Sequence, residues 1–277
     1  DYDFRLWQYE PGDTNSLRNN DISSLLPDPN DPNFLWIGTK GGGLARMDIN
    51  SGAFKHLTTR DGLPNDVIYA VLADEQGYLW LSSNKGLIRY QPESGQIKNF
   101  TEADGLQSDE FNTWAYGKTP GGELMFGGVK GLNVFHPKDI VDNPNLPPVF
   151  LTGLKISNRA VTSGDPTGLL TQTLEFTEKI RLPFSQNNIT LEFAALEYTV
   201  PSKNRFRYYL EGAETEWAHE GSEPSAQYLS LAPGNYTFKV IACNNDGVWN
   251  PVPATLHITV LPPWYRSWWA WLFYAAA

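Results

Sequence analysis

Residues able to do chemistry are thinly spread along this chain. Its four histidines, His56, His136, His219 and His257, are far apart and match no metal-ligand spacing. No Gly-x-Ser-x-Gly elbow is present, and no nucleophile has a histidine close by in sequence. Gly41-Gly42-Gly43 and Gly127-Gly128 read as turns between strands, because a phosphate loop needs a following helix and a Lys-Ser/Thr pair. Glu211, Glu214, Glu216, Glu220 and Glu223 form an acidic stretch, read as a solvated loop with a calcium site as the alternative. The single cysteine, Cys243, excludes a disulfide framework and a cysteine zinc site and reads as a small buried hydrophobe in a strand. The pattern predicts no catalytic centre, no metal and no cofactor.

What does recur at fixed spacing is aromatic and glycine chemistry. Leu35-Trp36-Ile37-Gly38-Thr39 returns as Leu79-Trp80-Leu81-Ser82-Ser83 and, more loosely, as Leu124-Met125-Phe126-Gly127-Gly128. The step is 44 residues from Trp36 to Trp80 and 45 from Trp80 to Met125. Gly43-Leu44, Gly86-Leu87 and Gly131-Leu132 keep the same step, as do Asp61-Gly62-Leu63 and Asp104-Gly105-Leu106. Within the second unit, β-type runs at 67–73, 78–82, 86–90 and 96–100 alternate with turn residues. Four short strands per repeat of this length is the pattern of a β-propeller blade. Each Trp is expected in the middle of an inner strand, packed between blades, with the Gly-Leu pair placing Leu in the same layer. Phe4–Tyr9 reads as the outer strand of a preceding blade. About three blades are encoded, fewer than the four or so that close a propeller.

Composition agrees with an all-β chain. The 277 residues include 10 Trp, 24 Gly and 20 Pro, with 41% hydrophobic and 19% charged residues, so a sizeable core is available and intrinsic disorder is excluded. With 21 Lys+Arg against 31 Asp+Glu, the net charge of -10 argues against nucleic-acid binding. Asp1-Tyr2-Asp3-Phe4 is not a basic region leading into an apolar stretch, so no signal peptide is expected here.

Past Asp142-Asn143-Pro144-Asn145-Leu146-Pro147-Pro148 the period vanishes, marking residues 142–148 as a linker after a first domain over 1–141. Strict alternation over Ile189–Ala195 and Tyr236–Cys243, with strand-like runs at 149–156, 205–211, 226–231 and 255–261, predicts about seven strands. An immunoglobulin- or fibronectin-like sandwich over 149–262 follows. Leu231-Ala232-Pro233-Gly234-Asn235-Tyr236 sets Tyr236 just after a tight turn, where a tyrosine corner ties its hydroxyl to upstream backbone. Residues 263–277, Pro263 to Ala277, carry clustered Trp and Tyr ahead of ten uncharged residues. A span needs ~20 such residues, and the aromatics resemble an interfacial belt, so the segment reads as the start of a transmembrane helix.

The first-half motifs resemble the two-component regulator propeller repeat, and residues 194–198, 206–212, Trp217, 231–236 and 242–249 resemble the three-Y domain. The resemblance assigns a structural signature to Trp36, Trp80, Tyr198, Tyr208, Trp217, Tyr236 and Trp249, with Tyr209 competing with Tyr208. It implies the periplasmic sensor region of a bacterial membrane receptor, dimeric in its full-length form and anchored in the inner membrane. The output domain, a histidine kinase or diguanylate cyclase, would lie elsewhere. The expected ligand is a small molecule, with oligosaccharides the leading class, stacked on exposed propeller aromatics. A carbohydrate-active propeller enzyme and an adhesion or scaffold module are the alternatives.

Overall fold

The computed structural model describes residues 4–263 and Tyr265. Its regular structure is β-sheet, antiparallel but for one strand pair, with short 3-10 turns, divided into two compact units at Val141/Asp142.

In the first unit, β1 (Ile22–Pro27), β2 (Phe34–Thr39), β3 (Leu44–Asp48) and β4 (Phe54–Leu57) form one meander. β5 (Ile68–Ala73), β6 (Leu79–Ser83), β7 (Gly86–Tyr90) and β8 (Ile97–Phe100) repeat it. A third sheet has three strands, β9 (Phe111–Lys118), β10 (Leu124–Gly128) and β11 (Gly131–Phe135). The first strands of the three sheets contact one another, so β1, β5 and β9 are innermost. The repeating tryptophans lie on β2 and β6, inner strands of their four-stranded sheets, while the innermost strands carry smaller residues such as Ser24 and Ala70 where sheets converge. Both rings are buried. Trp36 joins Leu44, Ile68, Leu79 and Tyr90 between the first two sheets, and Trp80 joins Leu87, Phe111, Leu124 and Phe126 between the second and third.

Two expectations fail. Phe4–Tyr9 forms no strand, only an isolated bridge between Tyr9 and Leu17, since the preceding blade it would complete is not among the described residues. The third repeat lacks a fourth strand: Pro137 opens a 3-10 turn where it would begin, and proline removes the ladder donor. Leu132, Val134 and Val129 of that sheet remain exposed, whereas Leu44 and Leu87 at the Leu132 position are buried.

The second unit is a sandwich. One sheet has the order β13-β12-β15-β18, from β12 (Val149–Ile156), β13 (Arg159–Val161), β15 (Ile189–Ala195) and β18 (Ser225–Tyr228). The other has the order β14-β20-β19-β16-β17, from β14 (Lys179–Leu182), β16 (Arg205–Glu211), β17 (His219–Gly221), β19 (Gly234–Cys243) and β20 (Ala254–Val260). Period-two alternation delivers Ile189, Leu191 and Phe193 from one face and Phe238, Val240, Leu256 and Ile258 from the other into a single core. Strands β13, β14 and β17 are short edge elements absent from the sequence reading. The β14–β20 pair is parallel, Lys179 opposite His257, so its partner lies far along the chain and leaves no local signal.

Among the described residues no helix is long and apolar enough to cross a membrane. The expected start of a transmembrane helix falls, but for Pro263 and Tyr265, outside the described residues.

Candidate functional site

The second unit holds its own entry segment by a compact set of amides. Asn244 is buried and lies in the turn between β19 and β20. Its Nδ2 donates to the carbonyls of Asn143 (2.7 Å) and Asn145 (2.9 Å), while its Oδ1 accepts from the amides of Asp246 and Val248. The Asn143 amide donates to Asp246 Oδ2 at 2.6 Å, and Asn250 Nδ2 donates to the Pro147 carbonyl at 3.1 Å. Every donor and acceptor of the Asn244 side chain is therefore used, the condition under which a buried amide stabilises. Glu197 closes the set. Its Oε1 accepts from the Thr199 amide at 2.9 Å, and hydrogen bonds from Thr199, with a further one from the Asn143 side chain, hold its carboxyl below the usual glutamate range. The segment read as a linker is thus clasped onto the loop that leads directly into the last strand.

The signature residues do not converge on one pocket. Tyr208 packs in the core rim against Phe193 and Phe238, with His219 stacked on its ring at 4.8 Å. Tyr209 points to the other face, where Trp217 meets it edge-on at 4.9 Å. Tyr236 donates from its hydroxyl to the Ala232 carbonyl at 2.9 Å. The Arg207 guanidinium lies 4.2 Å over the Trp249 ring. Tyr198 is 76% exposed, apart from the others.

The acidic stretch is engaged by protein partners. Glu214 takes His219 Nε2 at 2.8 Å and the Leu210 amide at 2.7 Å. Glu220 binds Arg205 and Arg207, which hold its carboxyl below the usual range, and Glu211 pairs with Lys239 at 3.1 Å. Glu211, Glu214 and Glu220 thus pair with neighbouring side chains, while Glu216 and Glu223 stay exposed to solvent, as the solvated-loop reading expects. Among the described residues no group of three His, Cys, Asp or Glu could hold a metal.

In the first unit, a polar hollow of about 450 Å³ opens among Tyr9, Asp13, Arg18, Thr59, Arg60 and Asp66. One tryptophan of this unit, Trp114 on β9, is fully turned out. Sequence reasoning missed both Trp114 and the clasp. The Asn244-Asn245-Asp246-Gly247 turn was visible, but its partner lies about a hundred residues earlier.

Radial sheets of a repeating meander, followed by a sandwich that clasps its own entry segment, define the class of fold: propeller-type blades joined to a β-sandwich. Residues 62–85 match the two component regulator propeller family, and residues 197–261 match the Y_Y_Y domain family. Over 215 residues it is 35% identical to histidine kinase P4 of Formosa agariphila, covering 78% of this chain and 16% of that protein. It therefore spans about one sixth of that curated relative's length. The extracellular domain of the hybrid two component system BT3049 of B. thetaiotaomicron shares the fold, with a TM-score of 0.57 at 19% identity over 93% of this chain and 40% of the other. That of BT4673 from the same organism gives 0.41 at 20% identity, over 91% and 45%.

Proposed function

We propose that this chain is the ligand-sensing, signal-transmitting region of a bacterial two-component membrane receptor, on the periplasmic side of the inner membrane. The first unit receives a small ligand, oligosaccharides being the leading class, and the second passes the change toward the C-terminal segment and the membrane. The output, a histidine kinase or diguanylate cyclase, lies in another part of the protein, and the working receptor is a homodimer. The region itself carries out no catalysis.

The observation that carries this reading is the clasp. A displacement arriving at residues 142–148 is not absorbed by a slack tether. The bonds of Asn244, Asp246 and Asn250 pass it to the loop preceding β20, the strand that leads to the C-terminal segment. A sandwich is stiff because its core is close-packed, so it moves as a body and transmits rotation or translation. Kinship to histidine kinase P4 supports the same reading.

The test replaces the matching region of the F. agariphila kinase with this chain. Autophosphorylation is then followed in membrane vesicles against a panel of neutral and uronic-acid oligosaccharides. Saccharide-dependent phosphorylation that disappears in Asn244→Ala, with the protein still inserted and folded, supports the assignment. Phosphorylation indifferent to every saccharide, or a response untouched by Asn244→Ala, overturns it.

A further inference from the structure

We infer that the hollow between the first two sheets binds a small uncharged amide, the chemistry of a short capped peptide, through Trp36 and Arg46. This goes beyond the sensor reading and does not depend on it. The hollow has a volume of about 240 Å³, with Asp28, Asn30, Trp36 and Arg46 of the first sheet facing Gly77 and Glu93 of the second. Both walls are described, one sheet on each side, so the opening is not that of a bare sheet edge. Trp36 is only 5% exposed, yet its indole N–H has no partner among the described residues.

The chain builds this gap twice and closes only one copy. Trp36 stands opposite Leu26 and Arg46 just as Trp80 stands opposite Leu72 and Arg89. The Asp28 and Asp74 amides donate to the carbonyls of Phe34 and Tyr78, which makes the two acids equivalent. Between the second and third sheets the corresponding space is only about 10 Å³. There Lys138 reaches across to Glu75 at 3.0 Å, Arg89 Nη1 donates to the Ile140 carbonyl at 3.5 Å, and Asp74 takes the Trp80 N–H. In the first gap Pro29 and Glu93 hold the places of Glu75 and Lys138 and cannot pair. Past Glu93 the chain turns away into β8, so among the described residues no carbonyl returns to Arg46. Arg46 bonds Asp28 instead, and that acid is withheld from Trp36.

The chemistry of the occupant follows from these groups. It must accept hydrogen bonds, because a buried donor without a partner is costly. Arg46 spends Nε and Nη2 on Asp28 Oδ2, at 2.9 and 2.7 Å, which leaves Nη1 as a second donor. Its guanidinium lies 3.8 Å over the Phe34 ring, so the fork is fixed in place. The occupant must be uncharged. Asp28 and Arg46 cancel, the exposed Glu93 repels an anion, and the Arg46 guanidinium repels a cation. It must also be small, since the volume falls below the ~300 Å³ at which pockets for drug-sized molecules begin. An amide meets all three conditions: its carbonyl oxygen has two lone pairs for the two donors, and its N–H suits Glu93. The second gap shows the protein's own version, a backbone carbonyl on the equivalent arginine.

The experiment titrates N-acetylisoleucine amide, and N-acetylisoleucine with its free carboxylate, into the whole chain. Indole N–H resonances are followed by NMR, with Trp36→Phe assigning the Trp36 signal, and affinities are read by calorimetry. The amide is expected to move the Trp36 resonance and to leave that of Trp80, held by Asp74, in place. The acid binds at least about tenfold more weakly, and Trp36→Phe lowers affinity for the amide about two- to tenfold. Pro29→Glu combined with Glu93→Lys gives the first gap the bridging pair of the second, and is expected to abolish binding with the thermal midpoint kept or raised. A Trp36 resonance that neither compound moves makes the hollow solvent space and overturns the inference. An acid that binds as well as the amide overturns the uncharged class, and a folded double variant that binds as before removes the hollow as the site. Should the double variant unfold, the Trp36 resonance and Trp36→Phe decide alone. None of these results touches the sensor reading, which the Asn244→Ala experiment tests separately.

Discussion

The indole N–H of Trp80 donates to Asp74 Oδ2 at 2.8 Å inside the layer between the second and third sheets, whereas the N–H of Trp36, at the same place in the first sheet, has no partner among the described residues. The difference lies in the acid. Asp74 is free to take the indole while its other oxygen accepts the amides of Gln76 and Tyr78. Asp28, at the end of β1, is drawn instead to the Arg46 guanidinium at 2.7 Å.

Paired substitutions separate the bond from the volume. Trp→Phe removes similar bulk at both sites, but only at position 80 does it strand a buried carboxylate oxygen. Trp80→Phe is expected to cost about 1–3 kcal/mol more than Trp36→Phe, and Trp80→Ala about 3–5 kcal/mol in all. Urea unfolding of the variants gives the comparison, and equal losses for the two phenylalanine variants would count against the bond.

Tyr236→Phe deletes the bond to the Ala232 carbonyl and nothing else. The hydroxyl is partly solvated, so the expected loss is ~0.5–1.5 kcal/mol of sandwich stability. An unfolding midpoint that stays where it was would show that the corner bond contributes nothing.

Two glycines with the same handedness of backbone should behave differently. Gly86 (φ 97°) and Gly95 (φ 74°) both occupy the left-handed region. A Cβ at Gly86 would collide with the Phe100 carbonyl of the neighbouring strand, while one at Gly95 meets open space. Gly95→Ala is expected to cost about 1–2 kcal/mol from backbone strain alone, and Gly86→Ala at least about 3 kcal/mol as β8 is pushed from β7. Thermal melts of both variants decide it.

Acid should loosen the clasp. The folded pKa of Glu197 lies below its ordinary value of 4.5. A depressed carboxyl contributes stability that is fully present above the unfolded pKa and is lost as pH falls through the folded one. Stability of the second unit is therefore expected to decline below about pH 4.5, and Glu197→Gln to flatten that decline, in chemical unfolding followed from pH 6 downward. A slope identical in the two proteins would remove Glu197 from the account.

Sequence alone determined what depends on near neighbours. The 44- and 45-residue steps and the period-two alternation of Ile189–Ala195 and Tyr236–Cys243 set strands, turns and buried faces, because side-chain direction in a strand follows from position alone. Tyr236 was legible for the same reason, its bond reaching back only four residues. Tertiary structure decided what depends on distant partners: the parallel β14–β20 pair, the ion pairs of Glu211 and Glu220, and the grip of Asn244 on Asn143. It also chose among the tryptophans. Trp36, Trp80 and Trp114 are chemically alike in a string of letters, and whether an indole packs, bonds or faces outward is settled by the register of its strand and the sheet laid against it.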